Sequence, residues 1–314
     1  MKIVFMGTPD FAVPCLDILV RNGYDVVGVI TVPDKPAGRG QQVQQSPVKK
    51  YALEHGLRIL QPEKLKAPEF IEELKSLNAD LQIVVAFRML PEVVWNMPPL
   101  GTYNLHGSLL PNYRGAAPIN WALINGEKET GVTSFKLIHE IDAGNVLFAE
   151  KVQLTDDTNA GELHDTLMHV GAGLMLKTVK AIEEGKYELK EQLLNTELKH
   201  APKLFKETCK IDWNKDVNSI HNLIRGLSPY PAAWTEGKDS KGNVQSIKVY
   251  VSSKELAAHT TNKGQIVSDN NTYLKVACSN GYIYIHELQL AGKKRLKVQD
   301  LLRGFKFEEG FSFS

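Results

Sequence analysis

Three apolar runs of strand length constrain this chain most: Lys2–Gly7, Asp25–Val32 and Leu81–Phe87. Each is apolar on successive positions instead of alternate ones. A strand with that pattern is covered on both faces, as in a parallel sheet. Helical segments lie between the runs. One starts at Phe11 after Thr8-Pro9-Asp10 and ends at Asn22-Gly23, and others are expected near Val48–His55 and Pro68–Leu77. Proline is tolerated in a first helical turn and glycine is common just past the last. Repeated strand–helix alternation predicts an α/β fold, a Rossmann-like, parallel-rich sheet covered by helices. The first turn, Gly7-Thr8-Pro9-Asp10-Phe11-Ala12, lacks the later glycines of a dinucleotide fingerprint, and no Walker-type loop occurs.

Within this frame the stretch Gly101 to Pro118, GTYNLHGSLLPNYRGAAP, begins as a strand and breaks into a Gly-, Pro- and Arg-rich loop. Side chains two apart on a strand share a face. Asn104 and His106 therefore project together where the strand ends, the edge at which open α/β sheets bind ligands. A carboxamide can donate to a developing oxyanion, and an imidazole can pass a proton near neutral pH. Taken alone, the pair reads more readily as a turn-capping asparagine and a satisfied core histidine, and its context decides otherwise. Two further loops carry polar groups. Pro33 to Pro47 is expected to be exposed and without internal structure, with Arg39 between two glycines, and Asp142 sits in a tight turn before Ala143-Gly144. A helix is expected over 160–184, with Gly171 and Gly173 weakening its regularity.

Residues 186–205 are polar and read as a connecting segment. Beyond them short strands separated by turn signals predict a small barrel. Residues 206–314 hold 16 Lys and Arg against 11 Asp and Glu, while the remainder holds 21 against 25, so the basic charge lies towards the end. Lys293-Lys294-Arg295-Leu296-Lys297 concentrates it. A basic domain suits a polyanion, although surface lysines also serve solubility. Three widely spaced cysteines give no disulfide framework and no zinc motif. No run is long enough to span a membrane, and the first is too short for a signal peptide, so a reducing cytoplasm is expected.

Asn104-x-His106, Ser108-Leu109-Leu110-Pro111, Arg114-Gly115 and the later Asp142 together resemble the folate-dependent formyltransferases. Met6-Gly7-Thr8-Pro9, Pro36-Ala37-Gly38-Arg39-Gly40 and Gly292-Lys293-Lys294-Arg295 are similar to the methionyl-tRNA-acting branch of that family, and the likeness covers nearly the whole chain. The resemblance implies a catalytic domain over 1–189, a linker over 190–205 and an OB-like tRNA-binding β-barrel domain over 206–314. It implies transfer of a formyl group from 10-formyltetrahydrofolate to the α-amino group of methionyl initiator tRNA. That chemistry needs no metal, the His-plus-Asp set is short of a zinc ligand count, and a monomer is the default expectation. Asn104, His106 and Asp142 would be catalytic, and Ser108, Leu109, Leu110 and Pro111 would bind folate. Arg39, Lys293, Lys294 and Arg295 would meet the tRNA. Phe87-Arg88 stands where the family carries an aromatic–glycine pair. Acceptors other than tRNA, such as a sugar-nucleotide amine or a purine precursor, are rival readings.

Overall fold

The computed structural model describes residues 1–37, 42–193 and 197–314. These divide into two compact units, residues 1–115, 130–152 and 164–200, and residues 116–129, 153–163 and 201–314. Two short internal segments, residues 116–129 and 153–163, group with the second unit.

In the first unit, β1 (Lys2–Gly7) and β2 (Asp25–Ile30) flank α1 (Val13–Arg21). Next come β3 (Lys35–Ala37), β4 (Gln42–Gln44), α2 (Pro47–Glu54), β5 (Ile59–Leu60), α3 (Pro68–Ser76) and β6 (Leu81–Val85). The rest are α4 (Glu92–Trp95), β7 (Thr102–His106), the two-residue β8 (Arg114–Gly115), β9 (Glu129–Lys136), β10 (Val146–Gln153) and α6 (Ala160–Glu184), while α5 (Pro118–Ile124), between β8 and β9 in sequence, belongs to the second unit. The sheet order is β10-β9-β7-β6-β1-β2-β5. Pairing is parallel from β5 to β7 and antiparallel between β7 and β9. The apolar runs thus form a doubly covered parallel sheet. On β1, Val4 and Met6 join a cluster with Phe70, Leu74 and Leu77, while alternation sends the equally buried Ile3 and Phe5 to the other face. Burying such a side chain contributes about 1.5–3 kcal/mol.

Three expectations are corrected. The segment 33–47 has internal structure, since β3 and β4 pair antiparallel, Lys35 with Gln44. Its roots are fixed by the Thr31 and Ser46 hydroxyls, 2.7 Å apart, and by Lys49 Nζ donating to Asp34 at 2.5 Å and Gln61 at 2.7 Å. Second, α6 is continuous through its glycines. A Cβ on Gly171 would lie 2.6 Å from the Leu105 side chain. The helix therefore lies close against β7, and packing outweighs the glycine's weak propensity. Third, the segment after α6 is not merely a connector. Lys190 exchanges both backbone hydrogen bonds with Val146 at 2.8 Å, which lays it along the start of β10.

The second unit adds β11 (His200–Ala201), α7 (Val217–Leu227), β12 (Ala233–Lys238), β13 (Val244–Leu256), β14 (Ile266–Ser268), β15 (Leu274–Ala277), β16 (Gly281–Leu290), β17 (Leu296–Lys297) and β18 (Ser312–Phe313). Strands β14-β15-β16-β13-β12-β18 follow one another in an antiparallel sheet, and β17 pairs with β16. A bridge between Gln265 and Ser312 brings its ends together into a nearly closed barrel. Its core holds Trp213, Ile247, Val249, Ile283, Ile285 and Phe313, with Ile220 and Ile224 of α7 packed against them. Residues 233–238, between Pro231 and the Lys241-Gly242-Asn243 turn, form a further strand that is not among those expected from the sequence.

Candidate active site

The parallel strands fix where the reactive groups stand. β7 lies beside β6, with Asn104 next to Val84 and Leu105 next to Val85, so Asn104 and His106 reach the carboxyl edge of the sheet. Strand pairing holds both, and the packing of Leu105 and Gly171 behind them sets their depth.

His106 is buried, and its Nε2 lies 2.8 Å from the Tyr113 carbonyl oxygen. A carbonyl can only accept, so Nε2 carries the hydrogen and the exchangeable position is Nδ1. Nδ1 lies 3.8 Å from Asp142 Oδ2. That is too long for a hydrogen bond and within ion-pair distance when the ring is protonated. The Asn104 amide, half-buried, has no hydrogen-bond partner among the described residues. It is the one side chain of the trio with no polar contact among the described residues.

Asp142 reaches this place by an indirect route. β9 runs antiparallel to β7 and ends at Lys136 opposite Tyr103, whereas His106 lies opposite Thr133. The loop after Lys136 must therefore fold back along β7. Gly144 permits this, because a Cβ there would sit 1.7 Å from the Lys136 carbonyl oxygen. Asp142 turns in the left-handed region, at φ 51°. Its Oδ2 accepts from the Gly115 backbone N–H at 3.0 Å. Its carbonyl, with that of Gly144, accepts from Gln192 Nε2 at 2.8 Å each. Gln192 Oε1 in turn accepts from Arg114 Nε at 3.1 Å and Nη2 at 2.6 Å. Gln192 falls in the segment that the sequence presents as a polar connector, and no spacing rule pairs it with Asp142.

Ser108 is fully buried and its hydroxyl donates to the Asn112 carbonyl at 2.7 Å. Thr133 Oγ1 donates to the Ser108 carbonyl at 2.7 Å and accepts from the Leu110 N–H at 3.1 Å. Leu109, Leu110 and Pro111 are half-buried on the turn so made. Arg88 turns away from β7: its guanidinium donates to the Glu63 carbonyl at 2.8 Å and to the Pro62 carbonyl, and burial holds it below its ordinary pKa. The three cysteines are free and buried, and burial pushes the Cys15 thiol up to about 12, which leaves it no nucleophilic role.

The model of the formyl transferase family matches residues 1–179, and that of the formyl transferase C-terminal domain matches residues 203–306. The chain belongs to the formyl transferase family. A formyl transferase of Bacteroides fragilis named methionyl-tRNA formyltransferase is 57% identical over 314 residues, covering 99% of this chain and 97% of its own. One of that name from Phocaeicola vulgatus is 59% identical over 311 residues, covering 98% of this chain and 96% of its own. In structure the formyl transferase fold is shared with an N-formyltransferase from Helicobacter canadensis, solved with folinic acid and dTDP-3-aminofucose (TM-score 0.67, 20% identity, 94% of this chain and 100% of that one). It is also shared with HypX from Aquifex aeolicus in complex with tetrahydrofolic acid (TM-score 0.64, 18% identity, 99% of this chain and 48% of that one).

Two formyl transferase expectations concern surface charge. Arg39 lies outside the described residues. In the second unit, Lys293, Lys294 and Arg295 are all exposed in the turn between β16 and β17. They are not equivalent. Arg295 Nε donates to Glu287 at 2.7 Å and the guanidinium covers the Tyr250 ring at 4.3 Å. Lys293 and Lys294 have no ion-pair partner among the described residues. Among the described residues no helix is long and apolar enough to cross a membrane.

Proposed function

We propose that this chain transfers the formyl group of 10-formyltetrahydrofolate to the α-amino group of methionyl initiator tRNA. The names of relatives alike over nearly their full length support the acceptor. The folate compounds in the titles of fold neighbours support the donor. One observation carries the chemistry: an unpartnered carboxamide shares a strand face with an imidazole whose free nitrogen faces a carboxylate.

An α-amino group titrates near ~8, so a useful share is nucleophilic at pH 7. As it adds to the formyl carbon, negative charge grows on the formyl oxygen. The Asn104 amide donates to that oxygen, and a donor aimed at developing charge is most effective where water is excluded. The Nε2–H of His106 is held by Tyr113, which fixes the ring and leaves Nδ1 to take the amine proton and pass it to folate N10 as the formyl carbon–N10 bond breaks. Asp142 stabilises the positive charge that passes through the ring. The attack becomes a division of labour, with Asn104 steadying the oxyanion and His106 moving the proton. The Ser108 turn holds Leu109, Leu110 and Pro111 as an apolar wall for the folate ring system, with Ser108 acting from behind it. Methionyl-tRNA approaches through the Arg39 loop and through Lys293 and Lys294, with Arg295 largely neutralised by Glu287.

The direct test is Asp142→Asn, which keeps an acceptor for the Gly115 N–H and removes the charge. Folate affinity and folding should be retained while kcat falls by roughly 10²-fold or more. An unchanged kcat would remove Asp142 from the chemistry.

A further inference from the structure

We infer that Gln192 is a positioning residue for this reaction: it holds Asp142 against His106 from outside the sheet. The inference rests on the formyl-transfer reading of the site. Among the described residues, the hydrogen bonds that reach residues 138–144 come from Gly115 and Gln192 alone. Ile138, His139, Glu140 and Ile141 are exposed, so packing holds the tip weakly. Asp142 itself occupies a left-handed conformation that costs an L-residue free energy and persists only when its surroundings impose it.

Gln192 is built for that task. One carboxamide uses both ends. Its nitrogen donates to the carbonyls of Asp142 and Gly144, at 2.8 Å each, which fixes the backbone on both sides of the turn. Its oxygen accepts two hydrogen bonds from Arg114, whose neighbour Gly115 donates to the Asp142 carboxylate. A closed circuit results: Asp142 backbone, Gln192, Arg114, Gly115, Asp142 carboxylate. The pairing of Lys190 with Val146 brings Gln192 to the turn. Only a side chain with both a donor and an acceptor completes the circuit. Glutamate, of equal length, would meet Arg114 well and place charged oxygens against two carbonyls.

The test compares Gln192→Ala and Gln192→Glu with wild type in steady-state formyl transfer to methionyl initiator tRNA, with thermal melting and folate titration of each protein. Both variants should melt near wild type and bind folate within about three-fold. Both should lose kcat by roughly 10- to 100-fold, the scale of an ångström of misplacement. KM for both substrates should stay within about three-fold, and the pH dependence of kcat should change, because the carboxylate no longer holds its place beside Nδ1. Full activity in Gln192→Glu, or a kcat per folate-binding site and a pH profile like wild type in both variants, overturns the inference. If wild type itself fails to formylate charged tRNA, the proposed function fails instead, and the two failures are thereby distinguished.

Discussion

Asn104 differs from its neighbours in that its side chain has no hydrogen-bond partner among the described residues. Thr102 donates to the Trp95 carbonyl and lies 3.0 Å from the Gln82 amide, and His106 donates to Tyr113, yet the amide between them is unclaimed among the described residues. Asn104→Ala should therefore leave the melting temperature nearly unchanged and lower kcat by ~10²–10³, the effect of losing one oxyanion donor. Steady-state kinetics with saturating folate checks this, and a rise in KM alone would contradict it. At this scale the sequence was informative where strand geometry dictates direction. Asn104 and His106 share a face because of their spacing, and that could be read from Thr102 to His106 alone. Gln192 could not be found in this way. Its bonds are side chain to backbone, fifty positions from Asp142, and such contacts leave no periodic trace. Ser108 was legible as part of a turn, but its direction, inward towards Asn112, was not.

Elements, more than single residues, decide what the loops can do. The β-α alternation was legible because strands apolar on both faces have few alternatives. The fold-back of the β9–β10 connection was not, since it depends on the antiparallel entry of β9 and on Gly144 touching the Lys136 carbonyl. In the second unit α7 shows a similar dependence on buried polar contacts. His221 is buried, with Nε2 donating to the Asp156 carbonyl at 3.0 Å and Nδ1 accepting from the Ser252 hydroxyl at 2.9 Å. Burial, with Lys254 and Arg225 nearby, holds it below its ordinary pKa, opposed by the Asp156 carbonyl and Asp157. The unfolded chain then takes up a proton near ~6.5 while the folded chain resists it. Stability from this group is present above that pH and is lost as pH falls below it. Melting temperature should therefore drop between pH 7 and 5, and His221→Gln should flatten the drop. An equal slope in the variant would show that other groups govern acid lability.

For the whole molecule, charge distribution and site chemistry point to the same substrate. Residues 206–314 carry the basic excess, and four of their cations fall within Lys293–Lys297, all exposed. Lys293 and Lys294 are the unneutralised pair, so replacing both with alanine should raise KM for charged tRNA, leave kcat near normal and reduce the salt slope of binding by up to about 2. Arg295→Ala should change that slope less, because Glu287 already balances its charge. An unchanged slope in the double variant would place this turn outside the interface. The central claim is that one chain uses a strand-end carboxamide, an imidazole and a folded-back carboxylate to formylate a tRNA-borne amine. Its most direct test is single-turnover formyl transfer from 10-formyltetrahydrofolate to methionyl initiator tRNA, run beside free sugar-nucleotide amines. Rapid formylation of the tRNA and negligible formylation of the small amines is the expected result. Preference for a small amine, or release of formate with no amine present, would contradict it.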